Sequence, residues 1–155
     1  MHSIEIFAEL HWAVQQPTLK FVVNCQSVDS ICTIQQRDNF VDRAVFRLDL
    51  PVLLPRNILE IIMLDKTDNL ITEQIDHWVD IKNIHIDSIP ADQTMLTNSY
   101  FKHSMSQAWC EQMQLQGYHI QAEYRPGTEI RLNGTCGFEF DYPFLFEKVI
   151  NEWKK

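Results

Sequence analysis

Ile58-Leu59-Glu60-Ile61-Ile62-Met63-Leu64, then the polar turn Asp65-Lys66-Thr67-Asp68-Asn69, then Trp78-Val79-Asp80-Ile81-Lys82-Asn83-Ile84-His85-Ile86-Asp87-Ser88-Ile89, is the stretch whose reading decides the fold. Two strand-like apolar runs flank turn-forming residues, and the pattern predicts a β-meander. Within the second run Val79 and Ile81 share one parity and Ile84 and Ile86 the other. A slip of that kind predicts a bulge, or a short break, near Lys82-Asn83.

Outward from this stretch the same period recurs. Ile4, Ile6, Ala8 and Leu10 alternate with polar residues, as do Leu19, Phe21, Val23 and Cys25, and again Ala44, Phe46, Leu48 and Leu50. Glu5, Glu9, Lys20, Asn24, Arg47 and Asp49 then supply a solvated outer face, which favours antiparallel sheets. Breakers at Gln16-Pro17, Ser27 to Ser30, Arg37 to Asn39, Pro51 to Asn57 and Pro90 to Gln93 separate short strands. Ser104 with Gln107 resembles a capping box for a helix carrying Met105, Ala108, Trp109 and Met113, with Gly117 as its stop. Further strands are expected at Tyr118 to Tyr124, Glu129 to Leu132 and Gly137 to Phe140. Asn133-Gly134 predicts a hairpin, because a type I′ turn needs positive φ at both central residues. Pro143 opens a short terminal helix over 143–155 with Val149 and Trp153 on its apolar stripe. The expected fold is mostly β: a single antiparallel β-sandwich domain over 1–155, jelly-roll-like, with one or two short helices in the C-terminal half.

Length and charge narrow the function classes. A domain of 155 residues buries roughly 68–70% of its extended surface, so one core suffices. The formal net charge is -8 with thirteen scattered Lys and Arg, which argues against direct nucleic-acid binding. The apolar runs Pro51 to Pro55 and Ile58 to Leu64 are too short to span a bilayer, and the N-terminus lacks a signal-peptide pattern, so a soluble product of a cytoplasm is expected. Cys25, Cys32, Cys110 and Cys136 lack CxxC spacing; Cys25 and Cys32 are placed to face each other across a short hairpin, but buried free thiols are the simpler reading.

Three segments together resemble a known family: Asn57-Ile58-Leu59-Glu60-Ile61, Asp76 to Val79 leading into Asp80-Ile81-Lys82-Asn83-Ile84-His85-Ile86-Asp87-Ser88-Ile89, and Leu132-Asn133-Gly134-Thr135-Cys136-Gly137-Phe138-Glu139-Phe140-Asp141-Tyr142-Pro143. They resemble small β-sandwich virion proteins of tailed phages, marine ones especially, which look in turn like non-catalytic carbohydrate-binding sandwiches. The likeness spans roughly Arg43 to Leu145, and Cys136 stands where such patterns usually carry Trp. The resemblance implies a structural or adsorption role in a tail, baseplate or capsid surface, with other virion subunits as partners in a homo- or hetero-oligomer, and a virion location after synthesis in the host cytoplasm.

A non-catalytic glycan-binding module, with or without dependence on Ca²⁺, is the alternative, with Trp12, Trp78 and Tyr124 as stacking or partner-contact candidates. Asp65, Asp68, Asp76, Asp80 and Asp87 gather oxygen ligands suited to Ca²⁺, yet without EF-hand spacing, and loop Asp usually forms turns. No metal or other cofactor is therefore expected. His85 with Asp87, and Cys110 or Cys136 with His103 or His119, are the only acid–base or nucleophile pairings to weigh, and no motif orients them. GxSxG, Walker A, HExxH and GxGxxG are absent, so no enzymatic role is expected.

Overall fold

The structure, a computed structural model, describes residues 1–13, 15–64 and 77–143. Along these residues run β1 (His2–His11), β2 (Leu19–Val23), β3 (Gln26–Val28), β4 (Ser30–Asp38), β5 (Val41–Leu50), β6 (Arg56–Met63), β7 (Trp78–Ile86), β8 (Ile89–Pro90), α1 (Gln93–Thr97), β9 (Tyr100–His103), α2 (Gln107–Leu115), β10 (Glu123–Tyr124), β11 (Glu129–Ile130) and β12 (Gly134–Asp141). The protein is mostly β, in two antiparallel sheets. The first has the order β11-β7-β1-β5-β4, with β8 paired to β7, and the second β10-β9-β12-β6-β2-β3.

The alternating runs explain how the sheets meet. Ile4, Ile6, Ala8 and Leu10 of β1 and Ala44, Phe46, Leu48 and Leu50 of β5 are buried, and so are Phe21, Leu59, Ile61, Phe138 and Phe140 of the second sheet, all in one hydrophobic cluster. The rings of Phe21 and Phe46, one from each sheet, lie 5.2 Å apart. This arrangement is consistent with a β-sandwich. Burying one Leu, Ile or Phe side chain contributes about 1.5–3 kcal/mol, so these period-2 runs dominate the fold's stability.

The slip in β7 is a real bulge. Phe7 pairs with Asn83 but Ala8 with Ile81, leaving Lys82 as the extra residue, so that Val79, Ile81, Ile84 and Ile86 all point inward.

Other expectations need correction. β6 and β7 are not hairpin neighbours: β6 lies between β12 and β2, and β7 between β1 and β11, in different sheets. Each is a central strand needing two partners, and the connection between them, residues 64–77, is far longer than a hairpin turn. Asn133-Gly134 makes no hairpin either, because β11 pairs with β7 while β12 joins β6 and β9. Gly134 serves close approach instead: a Cβ there would sit 2.3 Å from the Lys102 carbonyl oxygen. The two-residue turns are Asn24-Cys25, Asn39-Phe40 and Asp87-Ser88, with φ of 50° and 68°, 46° and 69°, and 50° and 67°. They join β2 to β3, β4 to β5 and β7 to β8. Cys25 is thus an exposed turn residue and not the end of an alternating strand.

In α2 the cap is Ser106, whose hydroxyl accepts from the Trp109 amide at 3.2 Å, while the Ser104 amide is occupied by the Asn133 carbonyl. Gly117 does stop the helix, its amide donating to Gln114 O and that of Tyr118 to Met113 O. α1, capped by Asp92, arises where only a breaker was expected. The strand expected over Tyr118 to Tyr124 is confined to Glu123–Tyr124. The terminal helix over 143–155 falls on residues 144–155, outside those described.

Candidate functional site

The hairpin β4–β5 ends in a polar corner built on a buried acid. Asp42 shares the inward parity of β5 and is 3% exposed. Its Oδ2 accepts from Trp12 Nε1 at 2.7 Å and from Gln16 Nε2 at 3.3 Å, and its Oδ1 from Arg37 NH1 at 3.1 Å. The Arg37 guanidinium also lies 3.8 Å from the centre of the Trp12 ring. Trp12, a stacking candidate, therefore has its indole N–H and one ring face committed within the chain.

β4 itself is uncovered. Among the described residues it pairs with β5 alone, and from Ile31 to Asp38 every residue is exposed. Ser30, Cys32 and Ile34 stand opposite the inward-facing Leu48, Phe46 and Ala44, so their parity ought to bury them. Ser30 is half-buried and Cys32 and Ile34 are exposed, because the second sheet ends with β3, which comes up against β5, and β4 overhangs it. Ile31 is 67% and Ile34 43% exposed. Such an edge is a template for another strand.

Trp78 opens β7 on the outer face of the first sheet. His11, its cross-strand partner on β1, stacks on it at 3.6 Å with planes 3° apart, and the Arg131 guanidinium, just past β11 on the other side of β7, lies 3.9 Å from its centre. Burial holds the His11 ring below the usual histidine value, against the pull of Glu9 and Asp80. Tyr124, the third candidate, accepts from the Gln121 amide at 2.9 Å and packs beside Phe101 on the core. The three candidates do not assemble into one site: Trp78 stacks on His11 on the outer face of the first sheet, Trp12 turns to the buried Asp42, and Tyr124 belongs to the other sheet.

An open cleft of about 720 Å³ at the end of the second sheet is lined by Arg56, Ile58, Asp92, Asn98, Arg125 and Glu139, among others. Arg125 of this lining reaches to 5.5 Å from the ring of Tyr100, which lies across Gly137, where a Cβ would meet the ring. Burial, with Glu60 and Glu139 nearby, pushes the Tyr100 hydroxyl above the usual tyrosine value.

The remaining candidates do not assemble. Asp87 bonds to His2 and Tyr142, while His85 contacts Asn83 and Phe7, so His85 and Asp87 make no pair. Asp80 is held by Lys82 at 2.7 Å. Asp65, Asp68 and Asp76 lie outside the described residues, and among the described ones no cluster suited to a metal ion forms. All four cysteines are free, with Cys25 in the second sheet's turn and Cys32 in the first sheet. The Cys136 thiol donates to Gly127 O at 2.6 Å, and burial pushes its pKa far above the usual thiol value, so it holds its proton. Among the described residues no helix is long and apolar enough to cross a membrane.

A strand between the breakers at Ser27 to Ser30 and Arg37 to Asn39 is expected from the sequence, but that it lies uncovered at a sheet edge is not. Its signal was present: Ser30 to Gln36 is uncharged and rich in β-branched residues between two breakers. Comparison with protein-family models, curated proteins and solved structures finds no match to the chain.

Proposed function

We propose that the chain is a non-catalytic virion structural protein, a tail, baseplate or capsid-surface component of a tailed phage, acting through protein–protein assembly. The observation that carries this reading is the overhanging β4, which presents unpaired backbone and the exposed side chains of Ile31 and Ile34 where a neighbouring subunit would complete the layer. The resemblance of the Asn57 to Ile61, Asp76 to Ile89 and Leu132 to Pro143 segments to phage sandwiches supplies the virion context. Mass spectrometry of purified particles of the phage that encodes the chain tests it. The expected result is this chain at structural copy number, and its absence from intact particles would reject the proposal.

A second reading, glycan binding, is favoured by the cleft at the end of the second sheet, where Arg56, Glu139 and Asp141 offer hydrogen-bonding groups. Under this reading Arg56→Ala weakens binding on a glycan array, whereas Trp78→Ala, whose ring is already flanked, leaves it unchanged. Loss on Trp78→Ala alone would place the site on the first sheet.

A further inference from the structure

Edge strands normally carry a lysine, a proline, an inward charge or an early bulge that stops another strand from adding. The segment Ser30 to Ile34 carries none of these: it is uncharged, free of Pro and Gly, and β-branched at Ile31, Thr33 and Ile34. The bulge in β4 comes only after Ile34, and the nearest charges are Asp29 and Arg37. Other sheet borders among the described residues are short: β3 has three residues, and β8, β10 and β11 two each. β4 has nine.

The charge of the chain bears on what covers this edge. Two copies carrying -8 each repel over most of their surfaces, and an uncharged strand is where they approach at least electrostatic cost. An uncharged edge offers no steering to a basic partner either. We propose that β4 pairs antiparallel with β4 of a second copy, with Cys32 on the two-fold axis, joining the two first sheets into one. In this register Ser30 meets the second copy's Ile34 and Ile31 its Thr33, so five residues pair before the bulge. The row Ser30, Cys32, Ile34 lies on the uncovered inner side, where each copy's Ile34 covers the other's Ser30 and Cys32. The inference rests on the assembly reading and names its partner.

The test uses the full chain. Light scattering with size exclusion across the micromolar range is expected to give a dimer, and diamide to cross-link it through Cys32, since directly opposed antiparallel residues sit about 4.5–5.5 Å apart at Cα, within disulfide reach. Cys32→Ser is expected to abolish the cross-link and leave the dimer. Cys32→Lys, which sets two ammonium groups face to face, is expected to weaken the dimer more than about tenfold, while circular dichroism, and melting at a dilution where both chains are monomeric, stay unchanged. Ile31→Lys, also on exposed backbone, does the same if Cys32→Lys fails to fold. A monomeric wild-type chain, or a dimer untouched by both lysine variants, overturns the proposal. If that chain is nonetheless found in particles, assembly stands and self-pairing falls; a dimer missing from particles overturns the assembly reading alone.

Discussion

β4 and β5 are two arms of one hairpin, hydrogen-bonded along their length and joined at Asn39-Phe40, yet they live in different surroundings. β5 buries Asp42, Ala44, Phe46, Leu48 and Leu50; β4, with comparable β-formers, buries nothing. Pairing is local, a matter of turn geometry and register. Burial depends on whether another layer lies above, and here that layer stops one strand short.

The largest expected effect sets the two arms directly against each other. Leu48→Asp, at a fully buried site in β5, places an unpaired charge in the core and is expected to cost more than about 4 kcal/mol, enough to unfold a domain of ordinary stability. Ile31→Asp, on the other arm, is expected to change folding stability by no more than about 0.5 kcal/mol. Urea unfolding at high dilution measures both, and comparable losses would mean that β4 is covered after all. Next in size is Asp42→Ala, which strips the acceptor from Trp12 and Arg37 at the end of both arms and is expected to cost about 2 kcal/mol. A silent Asp42→Ala would show that the corner follows the hairpin and does not hold it.

The sequence's legibility divides along the same line. Ile4 to Leu10, Ala44 to Leu50 and the slip at Lys82 are readable because a period-2 pattern reports directly which face is buried. Membership of a sheet is a long-range property: nothing local in Ile58 to Leu64 says that β6 turns away from β7 to meet β12. Turn chemistry misled at Asn133-Gly134 because Gly has two uses, positive φ and close approach, and the Lys102 carbonyl demands the second. The true turns begin with Asn24, Asn39 and Asp87, residue types that tolerate the left-handed region, but their second residues Cys25, Phe40 and Ser88 carry no such signal. Of the candidate site, the aromatic positions Trp12, Trp78 and Tyr124 were legible as residues and their internal partners were not. Asp42 reads as an ordinary polar residue until Trp12, Gln16 and Arg37 converge on it.

The turn between the arms gives a smaller, opposite effect. Phe40 holds φ at 69° while its side chain is 64% exposed, so it contributes strain with little packing in return. Phe40→Gly is expected to raise stability by about 1 kcal/mol, since left-handed geometry costs a side-chain-bearing residue about that much and glycine almost nothing. A loss on this substitution would mean that the Phe40 ring is covered in solution.

The smallest effect compares that turn with its counterpart at Asp87-Ser88. Both have paired positive φ, but only the second is held by a carboxylate: Asp87 accepts from His2 Nδ1 at 2.8 Å, the Ser3 amide at 2.9 Å and the Tyr142 hydroxyl at 2.9 Å. Partial burial pushes its carboxyl up, but the hydrogen bonds from His2, Ser3 and Tyr142 together outweigh this and hold it below the ordinary 3.8. With the folded value beneath the unfolded one, the unfolded chain binds the proton first. The contribution is therefore complete above 3.8 and is lost as pH falls through the folded value. Wild type is expected to be more stable than Asp87→Asn at neutral pH, and the gap should close on acidification, whereas Phe40→Gly should keep its advantage over wild type across the same range. Melting curves of the three chains from pH 7 downward, continued into acid until the Asp87 carboxyl of the folded chain is protonated, decide it. A gap that persists at the acid end would show that Asp87 holds its turn by shape and hydrogen-bond geometry, with the charge contributing nothing.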